Sequence, residues 1–128
     1  MSQFLSDTAV SPLNESRWRA EVHRGWRIGS VANGGYVLAL VGRALSEALE
    51  QPDPLSINAF YLAPVALGEV EVAVESLSET RSTHFASADL RQEGQLKLRA
   101  TAAYTDLDLL KGPDWINVTP PTVPAFDE

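Results

Sequence analysis

The residues with the clearest potential for chemistry are Asn33-Gly34-Gly35, which lie where a polar loop turns into an apolar stretch of helical character. The first turn of a helix has unpaired N–H groups and a partial positive charge, and glycines let a ligand approach that backbone closely. Such a site can polarise a carbonyl and stabilise the oxyanion that forms when the carbonyl is attacked. The spacing alone favours a simpler interpretation, in which Asn33 caps the helix and the glycines make the turn.

The two histidines are weaker candidates. His23 and His84 lie 61 positions apart, and neither has a carboxylate partner at close spacing. His23 falls on the polar face of its predicted strand. His84 lies at a strand start, where it could line a ligand site, although a solvated strand end is the simpler interpretation. Neither has the spacing of a metal site, so the sequence predicts no bound metal.

Asn58 is a polar residue inside an otherwise apolar strand, which predicts either a hydrogen-bonded core position or a cleft position. Asp53 and Asp89 are carboxylates that could act as general bases, although the sequence gives no reason to single out either one. Four aromatic residues could line a ligand pocket, with a place in the core as the simpler interpretation: Trp26, Tyr36, Phe60 and Tyr61.

Several classes of function are disfavoured by what the sequence lacks. A net charge of -7 argues against binding along a nucleic-acid backbone, although it leaves room for a local basic pocket. With no cysteine there is no disulfide and no thiolate nucleophile. No nucleophile elbow and no phosphate-binding loop motif occurs. The chain shows neither a signal-peptide pattern nor an apolar run of about 20 residues, so we expect a soluble, cytoplasmic domain without a membrane span.

The element that must position Asn33-Gly34-Gly35 is the helix after it. Residues 36–41 are all apolar, and Pro52 and Pro54 end the helical pattern. The polar residues of the helix form one narrow stripe: Arg43, Ser46, Glu47 and Glu50. A helix that is apolar on its other sides is predicted to be wrapped by the rest of the chain.

Five strands are predicted around this helix, at residues 18–22, 56–63, 68–76, 84–92 and 96–104. The run at 56–63 is apolar on both faces, as in a central strand under the helix. The short loops predict antiparallel pairing. Small residues on the inward face leave room for the helix: Ala86, Ala88, Ala100 and Ala102. The predicted fold is α+β, a hotdog in which a curved antiparallel sheet wraps one long helix.

The ends of the chain differ from its centre. Residues 1–17 are polar and mixed, and are predicted to be an arm that is loose or ordered only by contacts. Residues 18–111 form the single hotdog domain. Residues 112–128 contain four of the eight prolines without a strand pattern, which is typical of an extended linker or tail.

Several motifs in this order resemble the amino-terminal repeat of the TesB-like (type II) acyl-CoA thioesterases, from about residue 18 to about residue 115. They are Trp26-Arg-Ile-Gly, Asn33-Gly-Gly-Tyr-Val-Leu-Ala-Leu, Pro52-Asp-Pro-Leu-Ser, Phe60-Tyr-Leu-Ala-Pro-Val, Gly68-Glu-Val-Glu-Val, Arg81-Ser and Gln92-Glu-Gly-Gln. The resemblance implies a double-hotdog enzyme that hydrolyses acyl-CoA with a water activated by an Asp, a Thr and a Gln. It also implies no cofactor, and an acyl chain that lies in a tunnel beside the helix.

In the family that trio belongs to the second repeat, in enzymes about twice as long as this chain. The positions here that correspond to the Asp and the Gln are Ser56 and Tyr104. The trio therefore cannot be assigned to residues of this chain. The resemblance favours Asn33, Gly34 and Gly35 as the catalytic group. The residues expected to contact substrate are Trp26, Tyr36, Asn58, Tyr61 and His84.

Three hypotheses follow. In the first, which we favour, the chain is the amino-terminal half of an acyl-CoA thioesterase and shapes the acyl pocket, while a second hotdog domain or subunit supplies the base. In the second, a stand-alone homodimer hydrolyses thioesters with Asp53 or Asp89. In the third, the chain is a non-catalytic module that binds acyl-CoA or lipid. All three expect a homo- or hetero-oligomer, because a single curved sheet exposes an edge strand. A dehydratase is disfavoured, since residues 26–36 contain no His or acidic residue.

Overall fold

The computed structural model of the chain describes residues 2–112, 115 and 117–125. Two helices are present in this part, α1 (Gln3–Asp7) and α2 (Gly34–Ala48), together with short 3-10 turns at Arg24–Trp26 and Leu107–Leu109. The strands are β1 (Val10–Asn14), β2 (Arg17–Val22), β3 (Arg27–Ile28), β4 (Val31–Ala32), β5 (Asp53–Tyr61), β6 (Gly68–Glu79), β7 (Thr83–Gln92) and β8 (Gln95–Thr105). Neither described helix is long and apolar enough to cross a membrane.

Six strands form one antiparallel sheet in the order β1-β2-β6-β7-β8-β5, and β3 and β4 form a separate small hairpin. The β7–β8 connection is a tight turn in which Glu93 and Gly94 both have positive φ. Along much of β6, β7 and β8, buried side chains alternate with more exposed ones, as the sequence predicted. The main sheet therefore has one face toward the core and one face toward solvent.

Helix α2 packs against the inner face of this sheet. Its buried residues recur at helical spacing: Tyr36, Val37, Leu40, Val41, Ala44 and Leu45. Ala88 and Ala100 are each 1% exposed and lie opposite each other on β7 and β8, so the sheet offers a flat surface to the helix. The Tyr104 hydroxyl donates a hydrogen bond to the Gly42 carbonyl at 3.3 Å. The predicted architecture of one long helix on a curved antiparallel sheet is confirmed.

The wrapping of α2 is less complete than the sequence predicted. Gly35 is exposed on one side of the helix, and Leu38 and Ala39 are only half-buried. The polar stripe at Arg43, Ser46 and Glu47 is exposed, in line with the prediction. One face of α2 therefore remains open in this chain, because six strands curve around only part of the helix.

The prediction that residues 56–63 form a central strand is wrong. β5 is an edge strand that pairs only with β8. Phe60 is 66% exposed and Tyr61 is 54% exposed. An apolar pattern on both faces does not tell whether a strand is covered by its own domain or by another one. Here the chain itself leaves the strand uncovered.

Of the two alternatives predicted for residues 1–17, the described part agrees with an arm that is ordered by contacts. β1 pairs with β2, and α1 packs Phe4 edge-on against Trp26 with ring centroids 5.4 Å apart. The Trp26 indole N–H donates to the Asp7 carboxylate at 2.9 Å. These tertiary contacts order a segment whose sequence has no alternation of its own. Beyond Lys111 every described residue is exposed and outside regular structure, and the linker assignment stays a prediction.

Candidate active site

The start of α2 combines a side-chain cap with free backbone donors. The Asn33 side chain accepts a hydrogen bond from the Tyr36 N–H at 3.2 Å, so its predicted capping role is confirmed. The N–H groups of Gly34 and Gly35 belong to the first turn and have no acceptor within the helix. In the described part of the chain no other group accepts from them. The helix thus begins with two donors available to a ligand.

The β3–β4 hairpin and the loop after β5 hold this helix start in place. The Asn33 N–H donates to the Trp26 carbonyl at 2.8 Å, and the Ala32 N–H donates to the Val65 carbonyl at 2.9 Å. The loop around Val65 is fixed by Gln92, whose side-chain amide both accepts from the Ala66 N–H at 2.9 Å and donates to the Ala66 carbonyl at 3.0 Å. Sequence reasoning missed Gln92 as a positioning residue. Its signal was a polar residue at an inward position of β7.

Tyr61 lies directly against the glycines. A Cβ at Gly34 would lie 3.2 Å from the Tyr61 ring, which is tighter than ordinary contact. The Tyr61 hydroxyl donates to the Gly34 carbonyl at 2.9 Å. Gly34 is therefore favoured by the close approach of an aromatic ring and not by a positive φ. Of the five predicted substrate contacts, Tyr61 is the one whose side chain the structure places against Gly34 and in the lining of the adjoining depression.

An apolar depression of about 360 Å³ opens beside these residues. Its lining contains neither a carboxylate nor a histidine: Val31, Ala32, Gly34, Val37, Tyr61, Leu62, Ala63, Pro64 and Val65. Such a lining suits an acyl chain next to a polarised carbonyl, but it provides no group that could take a proton from water. Across the described ranges, no three His, Asp or Glu side chains come together as a metal site.

Trp26 and Tyr36 serve the packing behind the helix start. Their rings stack with centroids 5.5 Å apart. Tyr36 is 3% exposed, and its hydroxyl lies 2.7 Å from the Asp7 carbonyl and 3.3 Å from the His23 N–H. Burial is the main cause that raises the pKa of Tyr36. The two rings tie α1 and β2 to α2 and leave little of Tyr36 for a ligand.

The structure places Asn58 and His84 away from the helix start. Asn58 is exposed on the outer face of β5, opposite Thr101, so the prediction of a core or cleft position is wrong. Successive side chains of a strand point to opposite faces, and because Ile57 and Ala59 face inward, Asn58 faces outward. His84 is 6% exposed and pairs across the sheet with Tyr104, which contacts the middle of α2. One His84 ring nitrogen lies 2.7 Å from the Ser76 hydroxyl, and Nδ1 has no partner among the described residues.

The carboxylates of Asp53 and Asp89 accept hydrogen bonds from other groups, away from the start of α2. Asp89 lies on the outer face and accepts two hydrogen bonds of 2.7 Å from Arg99. The Arg99 guanidinium holds the pKa of Asp89 below its usual value, which disfavours proton uptake from water. The Asp53 carboxylate accepts from the Leu107 N–H at 3.0 Å, at the end of β5 opposite to Tyr61. Neither Asp53 nor Asp89 can serve the Gly34–Gly35 site of its own chain.

Comparison with solved structures identifies the fold class. The chain superposes with a TM-score of 0.89 and 27% identity on a candidate thioesterase II from Thermobifida fusca YX, covering 97% of this chain and 47% of that one. A hotdog protein from Alicyclobacillus acidocaldarius gives a TM-score of 0.84 with 20% identity over 97% of this chain and 46% of that one. A tesB protein from Mycobacterium avium subspecies paratuberculosis gives a TM-score of 0.77 with 18% identity, covering 95% of this chain and 47% of that one. The chain spans about half the length of each, and its fold is the α+β hotdog.

The family follows from the sequence itself. Residues 22–105 match the acyl-CoA thioesterase N-terminal domain. The chain therefore belongs to the acyl-CoA thioesterase family, and the matching part is the amino-terminal hotdog domain, as the motifs around Asn33-Gly34-Gly35 indicated. No curated protein matches the chain.

Proposed function

We propose that this chain is the amino-terminal half of an enzyme that hydrolyses the thioester bond of acyl-CoA. The observation that carries the proposal is the start of α2, where the N–H groups of Gly34 and Gly35 have no acceptor among the described residues and Gly34 lines an apolar depression. The acyl chain lies along the depression, and the thioester carbonyl points at Gly34 and Gly35. The family and the thioesterase assignment of the Thermobifida fusca neighbour support this substrate class.

In the proposed reaction, a water attacks the thioester carbon and the negative charge moves to the carbonyl oxygen. Donors that are already oriented at this oxygen stabilise the charge without reorganisation. The positive end of α2 adds to this stabilisation. When the tetrahedral intermediate collapses, the carbon–sulfur bond breaks and the CoA thiolate leaves, so the products are a carboxylic acid and a thiol.

The group that activates the water is assigned to a second hotdog domain or subunit. No acid or histidine lines the depression in this chain. The open edge of β5 offers unpaired backbone groups together with the exposed side chains of Phe60 and Tyr61. Pairing across this edge covers a surface that edge strands otherwise leave prone to aggregation.

Antiparallel pairing of two such edges has a geometric consequence for catalysis. β5 runs from Asp53 to Tyr61, and Tyr61 contacts Gly34. In an antiparallel pair the beginning of one strand lies beside the end of the other. The first residues of the partner's edge strand therefore lie next to the Gly34–Gly35 site, from which a carboxylate could reach the attacking water.

The first test compares the chain alone with the same chain joined to a second hotdog, by following thiol release from acyl-CoA. We expect turnover only in the joined protein, because no acid or histidine of the chain lines its own depression. In a self-paired chain the carboxylate at the start of the partner's β5 is Asp53, whose side chain already accepts a hydrogen bond from the Leu107 N–H. Equal turnover in both would contradict the half-enzyme proposal. Binding of acyl-CoA without turnover in either form would instead favour the non-catalytic module.

Gly34→Pro tests the oxyanion role in the joined protein. Proline is tolerated at the first helical position but has no N–H, and Asn33 already has the extended ψ of 134° that a following proline requires. Gly34→Ala is the matched control, because it adds the same Cβ against Tyr61 and keeps the donor. We expect kcat to fall about a hundredfold further in Gly34→Pro than in Gly34→Ala. Equal rates in the two variants would exclude the Gly34 N–H as an oxyanion donor.

A further inference from the structure

A second cavity lies at the opposite end of α2, where the helix runs into β5 and where the β6–β7 turn meets the end of β8. Its volume is about 430 Å³. It is lined by two cationic side chains, several polar groups and two leucines: Gln51, Arg81, Ser82, Thr105, Asp106, Leu109, Leu110 and Lys111. Because α2 has 15 residues, this cavity is about 22 Å from the Gly34–Gly35 site of the same chain.

Hydrogen bonds fix the walls of this cavity. The turn that carries Arg81 and Ser82 is closed by the Thr80 N–H, which donates to the Thr83 carbonyl at 2.8 Å. The buried Thr105 hydroxyl donates to the Ser82 carbonyl at 2.7 Å and ties this turn to the end of β8. On the other side, the Leu107–Leu109 turn is held by the hydrogen bond from Leu107 to Asp53. The walls of the cavity are therefore held together by two side chains: Thr105 binds the β6–β7 turn to the end of β8, and Asp53 binds the start of β5 to the Leu107–Leu109 turn.

The charge of the cavity differs from that of the whole chain. The chain carries a net charge of -7, whereas the cavity has two cationic side chains and one carboxylate. That carboxylate, Asp106, accepts a hydrogen bond from the Asp108 N–H at 3.0 Å. Within the described residues, neither Arg81 nor Lys111 has a carboxylate oxygen within 4.0 Å. Two cations are thus available to an anion beside an apolar wall formed by Leu109 and Leu110.

We propose that this cavity binds the phosphate-bearing nucleotide end of acyl-CoA, an inference that rests on the proposed function. A guanidinium and an ammonium suit phosphate oxygens, the Ser82 hydroxyl and the Gln51 amide add neutral hydrogen bonds, and the leucines cover one face of a base. In the paired arrangement, the beginning of β5 lies beside the partner domain's helix start. The cavity of this chain therefore serves the substrate whose thioester is held by the partner domain.

Binding of adenosine 3′,5′-bisphosphate to the 128-residue chain tests the site without any need for turnover. Titration calorimetry on the wild type is compared with Arg81→Gln and Lys111→Gln. We expect each change to weaken binding about tenfold, as for the loss of one charge-assisted hydrogen bond. Arg43→Gln is the matched control, because Arg43 is exposed on α2 outside the cavity and its loss changes the net charge equally. Circular dichroism checks that the variants remain folded.

Absence of binding by the wild type, or equal weakening by Arg43→Gln, would overturn the proposal. Inorganic phosphate that binds as tightly as the nucleotide and competes with it would overturn the assignment to a nucleotide. Nucleotide binding without hydrolysis in the joined protein would support this site while the proposed function fails, so the two failures can be told apart.

Discussion

At the scale of single residues, Asn33 accounts for the availability of the helix donors. Its side chain takes the Tyr36 N–H, the third donor of the first turn, and leaves those of Gly34 and Gly35 free. A Cβ at Gly35 would lie 3.2 Å from the Asn33 side-chain oxygen, so the second glycine also gives room to the cap. The capping interpretation and the oxyanion interpretation are therefore compatible, because they use different N–H groups.

Asn33→Ala should lower the free energy of unfolding by about 1 kcal/mol, because the Tyr36 N–H loses its acceptor at a buried helix end. Asn58→Ala is the matched control, since Asn58 is exposed on the outer sheet face and its side chain makes no hydrogen bond with the described residues. It should stay within about 0.5 kcal/mol of the wild type. Urea unfolding followed by circular dichroism measures both. Equal losses in the two variants would show that the cap does not stabilise the helix start.

At the scale of elements, the inward alanines of β7 and β8 determine how closely α2 approaches the sheet. Ala86, Ala88, Ala100 and Ala102 are between 0% and 7% exposed. On the same strands the outward positions carry longer polar residues such as Asp89 and Arg99. The small inward side chains allow α2 to lie close to the sheet, and at its start the Tyr61 hydroxyl reaches the Gly34 carbonyl.

Ala100→Leu should destabilise the fold by about 1–3 kcal/mol, because a larger side chain at a position 1% exposed forces the helix away from the sheet. Thr101→Leu, the neighbouring residue on the exposed face, is the control and should change stability by about 0.5 kcal/mol or less. Thermal unfolding of both variants tests this difference. A small effect of Ala100→Leu would show that α2 is loosely packed at this point.

At the scale of the whole molecule, three observations support the proposal that the chain acts as part of a larger assembly. Its edge strand β5 is apolar and uncovered, and one face of α2 is open. The solved hotdog structures described above are about twice its length. In the proposed assembly, a second hotdog pairs along β5, covers this edge and brings polar groups to the Gly34–Gly35 depression.

Association through β5 can be measured on the chain alone. We expect the wild type to be larger than a monomer in size-exclusion chromatography with light scattering. Phe60→Lys should weaken association about tenfold by placing a charge on the paired edge. Leu77→Lys is the control, because Leu77 is 55% exposed on β6, far from β5 in the strand order. A monomeric wild type, or an equal effect of both changes, would contradict pairing through this edge.

The sequence by itself determined the helix, most of the strands and the helix start. Periodicity of 3.6 residues in α2 and of two residues in β6, β7 and β8 records which positions are buried, so these elements could be predicted from local pattern. The cap at Asn33 was predictable for the same reason, since it acts within one turn. The motifs added the family, which the match over residues 22–105 shows.

Only the tertiary structure decided which residues meet. Asn58 and Tyr61 both belong to one apolar run, yet strand parity turns Asn58 outward and brings Tyr61 to Gly34. The position of β5 at the edge, the role of Gln92 and the cavity between Arg81 and Lys111 depend on contacts between residues distant in sequence. Local pattern reports whether a side chain is buried or exposed, but the partner that covers it is fixed by the packing of the whole chain.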